Sequence, residues 1–183
     1  LPAFAKPKHE KVEARTQALI AYGETTELNR IEDNGAKIGV ITSGVAYQYV
    51  KEAMGDKVNY CKLGLVWPLP EKLLLDFAAR CETVYVAEEL DDFIETHCKA
   101  LGMKVIGKDL FPRCGELSQK IVRKLLSGEE AESLSLEAAI PVRPPVMCCG
   151  CPHRGVFYAL KRAGVYVSGD IGCYTLGATA PLS

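Results

Sequence analysis

The stretch Lys37-Ile-Gly-Val-Ile-Thr-Ser-Gly-Val-Ala-Tyr-Gln-Tyr-Val50 reads as a short buried strand running into a helix. Lys37 to Ser43 is apolar and β-branched with no polar alternation, as a strand covered on both faces requires. Gly44 ends it, and Val45, Tyr49 and Val50 share one face of a helix over Val45–Met54. Asp33-Asn34-Gly35 just upstream is a turn signal. The alternation then repeats. Val58–Val66 is strand-like, and Trp67-Pro-Leu-Pro70 breaks the chain before a helix over Glu71–Arg80 with Leu73, Leu74 and Phe77 on one face. A third strand is predicted at Thr83–Ala87, and a helix over Asp91–Leu101 whose N-terminus Asp91 or Asp92 favours. Lys104–Gly107 is predicted as a fourth strand and Glu116–Leu126 as a closing helix. Residues 9–30 carry a weak helical stripe of Val12, Ala14, Leu19 and Ile20. The pattern predicts an α/β fold: an open, mostly parallel sheet over residues 37–127, after a helical connecting segment over 1–36.

Residues 128–143 differ. Gly128 to Glu137 holds four Glu and no Lys or Arg, and Pro141 and then Pro144-Pro145 favour extended backbone. This predicts an exposed linker, with a new domain over 144–183 whose ~40 residues are too few for an independent core. The chain begins at Leu1, and Leu1 to Lys11 lacks the pattern of a signal peptide. A net charge of −1 with no dominant Lys/Arg stripe gives no electrostatic case for nucleic acid. No apolar run approaches the ~20 residues of a membrane span, and the cytosol is the expected compartment.

Eight cysteines are many for such a chain. Cys61, Cys81, Cys98 and Cys114 lie in or beside apolar patterns and read as packing residues. Cys148, Cys149, Cys151 and Cys173 crowd the C-terminal segment, which suggests metal or redox work more than a disulfide framework. Cys148 and Cys151 form a CxxC, Pro152 suits a helix start, and the helix would aim free N–H groups at an anion near Cys151. Val165-Tyr-Val-Ser168 reads as a strand ending in Gly169-Asp-Ile-Gly-Cys-Tyr174, with Cys173 at the carboxyl end where ligands collect. The residues alone leave a redox dithiol, half a zinc knuckle, a non-ligating turn and an iron–sulfur site open, and a fourth cluster ligand is not identifiable. His153 reads as a cofactor contact or, nearly as readily, a capped surface residue; Arg154 could pair with a diphosphate but reads first as a solvated side chain. Glu88 and Glu89, ending the third strand, read as a solvated pair before they read as a general base. Thr42-Ser-Gly44 lacks the glycines and lysine of a phosphate loop.

Pro144-Pro-Val-Met-Cys-Cys-Gly-Cys-Pro-His-Arg-Gly-Val-Phe-Tyr-Ala-Leu160 with Ser168-Gly-Asp-Ile-Gly-Cys-Tyr-Thr-Leu-Gly177 resembles the α subunits of indolepyruvate ferredoxin oxidoreductases, in the thiamine diphosphate-dependent 2-oxoacid:ferredoxin oxidoreductase superfamily. Ile41-Thr-Ser-Gly-Val-Ala-Tyr-Gln-Tyr-Val50 and Leu63-Gly-Leu-Val-Trp-Pro-Leu-Pro70 resemble the preceding domain, so the likeness spans nearly the whole chain. The family's Pro between the first Cys and the Gly is here Cys149, an added oxidisable thiol. The resemblance implies oxidative decarboxylation of an aryl 2-oxoacid on thiamine diphosphate with Mg2+, electrons leaving through 4Fe-4S clusters to ferredoxin and the acyl group passing to coenzyme A, beside a β subunit. It makes residues 37–127 a transketolase C-terminal-like domain and 144–183 the truncated start of the thiamine-diphosphate-binding domain. It implies cluster ligands at Cys148, Cys151 and Cys173, and cofactor contacts at His153, Arg154, Gly169, Asp170, Ile171, Gly172 and Tyr174. Gly169-Asp-Ile-Gly172 is not the family's metal-diphosphate turn, which comes later. The expectation is therefore an internal stretch of a larger subunit, with no catalytic residue of its own, no bound cofactor and no activity alone. The competing expectations are a non-catalytic subunit-docking module and a small CxxC metal-binding protein.

Overall fold

The computed structural model of the chain describes residues 2–130, 138–142 and 144–179. It divides into two compact units, Leu1–Ser133 and Leu134–Ser183. Within the first, helix α1 (Pro2–Gly23) leads to strand β1 (Arg30–Glu32), and the strand–helix alternation follows with β2 (Ile38–Ser43), α2 (Gly44–Met54), β3 (Asn59–Leu63), α3 (Glu71–Ala78), β4 (Thr83–Ala87), α4 (Phe93–Ala100), β5 (Val105–Ile106) and α5 (Gln119–Ser127). The five strands form one sheet in the order β1-β3-β2-β4-β5. Three of its four pairings are parallel ladders, with Val40 opposite Tyr60 and Val86 opposite Ile41. The expected open, mostly parallel α/β sheet is present, and both its faces are covered. Val40, Tyr60 and Ala87 pack with α2 and α5 on one side; Ile41, Cys61, Val84 and Val86 pack with α3 and α4 on the other.

Strand β1 runs antiparallel to β3, with Arg30 opposite Lys62. The helix expected over residues 9–30 instead spans Pro2–Gly23, and its expected last residue, Arg30, opens this edge strand. The reason lies in pairing partners that local pattern does not reveal. Asn29 is buried, its amide donating to the Gly23 carbonyl while its side-chain oxygen accepts from Gly64 and Leu65. That holds the chain in position to pair. Glu32 then ties the edge to α2, accepting from the Tyr47 hydroxyl at 2.7 Å and pairing with Lys51 at 3.0 Å and Arg30 at 3.0 Å.

Burial alone would raise the Glu32 pKa, but hydrogen bonds from Tyr47, Lys51 and Arg30 outweigh it and hold the carboxyl at about 2. A depressed folded-state pKa contributes stability above the ordinary value of 4.5, lost as pH falls toward about 2. Glu32→Gln is expected to cost on the order of 1 kcal/mol at neutral pH. The melting temperatures of the two proteins should converge through that acid window. Thermal unfolding followed by circular dichroism across the window checks this, and a constant gap down to the acid end would refute it.

Several other expectations change. Neither Asp91 nor Asp92 caps α4 through its side chain; Asp92 pairs with Arg113 at 2.9 Å and accepts from Thr96. Cys61 and Cys98 are fully buried, and burial pushes both thiols up to about 12, in keeping with packing roles. Cys114, read as packing, is exposed. The linker expected over 128–143 lies partly outside the described residues, at 131–137 and 143.

The second unit contains α6 (His153–Ala163) and α7 (Cys173–Gly177). Val165–Ser168, expected as a strand, forms none: Val165, Tyr166 and Val167 are exposed, and among the described residues of this unit no strand offers them a ladder. Cys173 therefore opens a short helix instead of ending a strand. Among the described residues no helix is long and apolar enough to cross a membrane.

Candidate functional site

Two places in the molecule have the elements of a site, one in each unit. In the first unit, β2 passes into α2 on one face of the sheet while its neighbour β4 passes into α4 on the other. Adjacent strands whose connections diverge leave a crevice at their carboxyl ends, the usual ligand position in open α/β sheets. A crevice of about 430 Å3 opens there, lined among others by Ser43, Gly44, Val66, Glu88, Leu90 and Phe93. Sequence reasoning missed it, although the ends of two predicted strands were the available signal.

The crevice contains an anion of the protein's own. Glu88 is 7% exposed, and its two carboxylate oxygens accept from the backbone N–H groups of Ile94 at 2.8 Å and Glu95 at 3.0 Å. It thereby fills the N-terminus of α4, where free N–H groups and the helix dipole favour negative charge. Burial raises the Glu88 pKa, while the bonds from Glu95 and Ile94 and the charge of Lys108 oppose that shift. Glu89 accepts from the Leu117 N–H at 2.9 Å. The expected solvated pair is thus two structural acceptors: both Glu88 oxygens are engaged, and one oxygen of the half-buried Glu89 is. Leu90 follows with φ of 60°, the left-handed region that a non-glycine residue rarely adopts, and is exposed at the rim.

In the second unit the CxxC is a tight turn. The Cys151 N–H donates to the Cys148 carbonyl at 3.2 Å, and Gly150 has φ of 74° while Cys149 stays at negative φ. Positive φ at the third residue alone is the signature of a type II turn, for which glycine is suited. Arg154, on the first turn of α6, reaches back to clamp it: Nε donates to the Cys148 carbonyl at 3.0 Å and a terminal nitrogen to the Met147 carbonyl. The guanidinium expected to meet a cofactor is engaged in holding this turn. His153 lies edge-on to Tyr174, ring centroids 5.5 Å apart, and Phe157 meets the same tyrosine at 5.6 Å. A methyl group on Gly177 would stand 2.7 Å from the Phe157 ring, so that position closes the contact only as glycine.

The structure thus brings together His153 and Tyr174. Asp170, Ile171 and Gly172 are exposed, Gly172 at φ of 124°, and Gly169 lies beside Tyr174. Cys148, Cys149 and Cys173 are exposed and Cys151 half-buried. Among the described residues no three His, Cys, Asp or Glu side chains gather as a metal site. Asp170 is the single carboxylate side chain between residues 138 and 179.

No family model matches the chain. Its whole length aligns with curated proteins. It is 34% identical over 205 residues to the indolepyruvate oxidoreductase subunit IorA of Archaeoglobus fulgidus, covering 100% of this chain and 33% of that protein. It is 36% identical over 209 residues to the IorA subunit of Methanothermobacter thermautotrophicus, covering 100% of this chain and 34% of that one. The chain spans about a third of the length of the relatives it matches. Among solved structures, a 2-oxoglutarate:ferredoxin oxidoreductase from Magnetococcus marinus, with 2-oxoglutarate, coenzyme A and succinyl-CoA bound, superposes with a TM-score of 0.53 at 22% identity, over 70% of this chain and 23% of that one. That likeness speaks for the fold.

Proposed function

We infer that this chain, a homologue of the indolepyruvate oxidoreductase IorA subunits along its entire length, is a stretch of a subunit that oxidatively decarboxylates aryl 2-oxoacids. The single observation that carries the reading is that whole-length identity of 34% and above, together with the clustered CxxC and Cys173. In this reading residues 37–127 are the transketolase C-terminal-like domain, residues 128–143 a linker, and residues 144–183 the first part of the thiamine-diphosphate domain. The complete enzyme works with a β subunit, ferredoxin, coenzyme A and an indolepyruvate-type substrate. Thiamine diphosphate would supply the decarboxylation, and 4Fe-4S clusters would carry the electrons to ferredoxin. What this chain supplies is scaffold: the sheet unit with its self-capped crevice, and a rigid CxxC turn set on α6 with His153 against Tyr174.

Two measurements test it. Isothermal titration of the chain with thiamine diphosphate and Mg2+ is expected to give no binding heat, since the seat lacks its carboxylates; micromolar binding would show that the domain reading is wrong. Exchanging this chain for the matching third of the Archaeoglobus fulgidus subunit is expected to give indolepyruvate- and coenzyme A-dependent reduction of a viologen acceptor. A chimera that assembles with its β subunit and takes up thiamine diphosphate, yet shows no turnover, overturns the functional assignment.

A further inference from the structure

We propose that the apolar rim of the crevice between β2 and β4 docks a protein segment presenting an apolar side chain flanked by Lys or Arg. Glu88 fills the α4 end of that crevice, and the apolar lining is left open. Val45, Val66, Leu90 and Phe93 all line it and are all exposed. Trp67 extends them outward: it is 61% exposed and meets Phe93 with ring centroids 6.0 Å apart. Exposed apolar side chains scattered singly are ordinary, whereas a contiguous group around one opening marks an interaction site. Aromatic rings are also the side chains enriched where proteins meet. Leu90 adds a second reason. Its φ of 60° is strained for a leucine, yet its side chain is 64% exposed and finds no burial within this chain. Glycine would take that backbone at no steric cost. The leucine side chain is buried only when something covers the crevice.

The charge of the opening selects the occupant. Glu88, Glu89 and Asp91 line it, and no Lys, Arg or His does. The neighbouring cations are engaged, Arg113 with Asp92 at 2.9 Å and Lys108 with the Glu88 carbonyl. A cation beside the apolar anchor would therefore meet the exposed Asp91 and the second oxygen of Glu89. Helix α2 begins at the same opening, and Ser43 gives it no side-chain cap, so its first N–H groups can receive a carbonyl of the docked backbone. A second copy of this chain does not fit. A two-fold contact would set one crevice against another, acid facing acid. The proposal makes no use of the oxidoreductase reading.

Trp67 is the chain's one tryptophan, so its fluorescence reports this face directly. The probe is an acetylated, amidated octapeptide with Leu-Phe at its centre, Arg on each side, and Ser and Gly at its ends. Titrated into the full chain, it should shift the Trp67 emission to the blue and saturate at submillimolar peptide. Replacing its Arg by Glu, or its Leu-Phe by Ser-Ser, should weaken binding by about tenfold or more. Leu90→Gly should melt at or above the parent's temperature yet bind the peptide about tenfold more weakly, the effect of one leucine no longer covered. Val45→Ser, an exposed change on α2, should weaken binding in the same direction. No saturable shift in the parent overturns the proposal, as does equal binding of the Glu peptide. So does parental affinity in folded Leu90→Gly and Val45→Ser. A concentration-dependent dimer in sedimentation equilibrium that Leu90→Gly abolishes also overturns it, because the face would then belong to a second copy. An equal shift with phenylacetate at the same concentrations does so too, since the opening would then hold a small aryl anion.

Discussion

Phe77→Ala is expected to destabilise the sheet unit by ~3–5 kcal/mol, the cost of removing a fully buried aromatic side chain and leaving a cavity. Phe77 is 1% exposed and belongs to the cluster with Ile41, Leu74, Val86 and Ile94. Its ring fits closely over the backbone of β2: a methyl group added at Gly39 would stand 2.9 Å from two ring carbons and 2.6 Å from the Cys81 sulfur. Gly39 and Phe77 are therefore one packing decision, made at two positions distant in sequence. Gly39→Ala alone should cost ~1–3 kcal/mol by overpacking. In the Phe77→Ala background the contact with the ring is relieved while the one with the Cys81 sulfur remains, so the double mutant should be more stable than the sum of the single losses by up to ~1 kcal/mol. Urea unfolding of the four proteins measures the cycle. Additive losses would mean that the ring does not press on β2.

Glu88→Ala should cost about 3 kcal/mol. Hydrogen bonds to a charged group contribute ~1.5–3 kcal/mol each, and the truncation strands two buried N–H groups at the start of α4. Loss of α4 docking would show as faster amide exchange at Ile94 and Glu95. Glu88→Gln keeps one acceptor and should cost roughly half as much. The pH dependence has the opposite sign to that of Glu32. A raised folded-state pKa gives stability that is complete below the ordinary value of 4.5 and lost as pH rises through the raised value. The deficit of Glu88→Gln relative to the parent should therefore shrink as pH climbs through that range. Chemical denaturation at several pH values checks both magnitude and sign, and a deficit that widens with pH would show that the bonds from Ile94 and Glu95 dominate over burial.

The elements that local pattern decides were legible in the sequence. The apolar run of β2, the helical spacing of Leu74 and Phe77 on α3, and the end of α5 at Gly128 all express nearest-neighbour chemistry. What escaped is non-local. The cap of α4 was expected from Asp91 or Asp92 but comes from Glu88, and α3, expected to start after Pro70, has its first N–H groups, those of Lys72 and Leu73, taken up by Glu24. The three residues of β1 are too short to show a period, and their pairing depends on Asn29 and on Glu32 reaching α2. Val165–Ser168 has strand composition without a neighbouring strand, so composition misled. In the candidate site the CxxC and its helix were readable from spacing; the turn made by Gly150 was not read. That Arg154 would turn back onto the Met147 and Cys148 carbonyls, leaving them and not a cofactor as its acceptors, was not.

The carboxylate seated at α4 has one more consequence. A metabolite competing for those N–H groups would meet a rival tethered by the polypeptide itself, whose effective concentration is far above what any free phosphate or carboxylate reaches in solution. Occupancy at that position is stoichiometric and set at translation, indifferent to the metabolic state around it. A crevice of the kind that suits reversible capture here holds a permanent resident, and its switch point serves as masonry in place of a receptor.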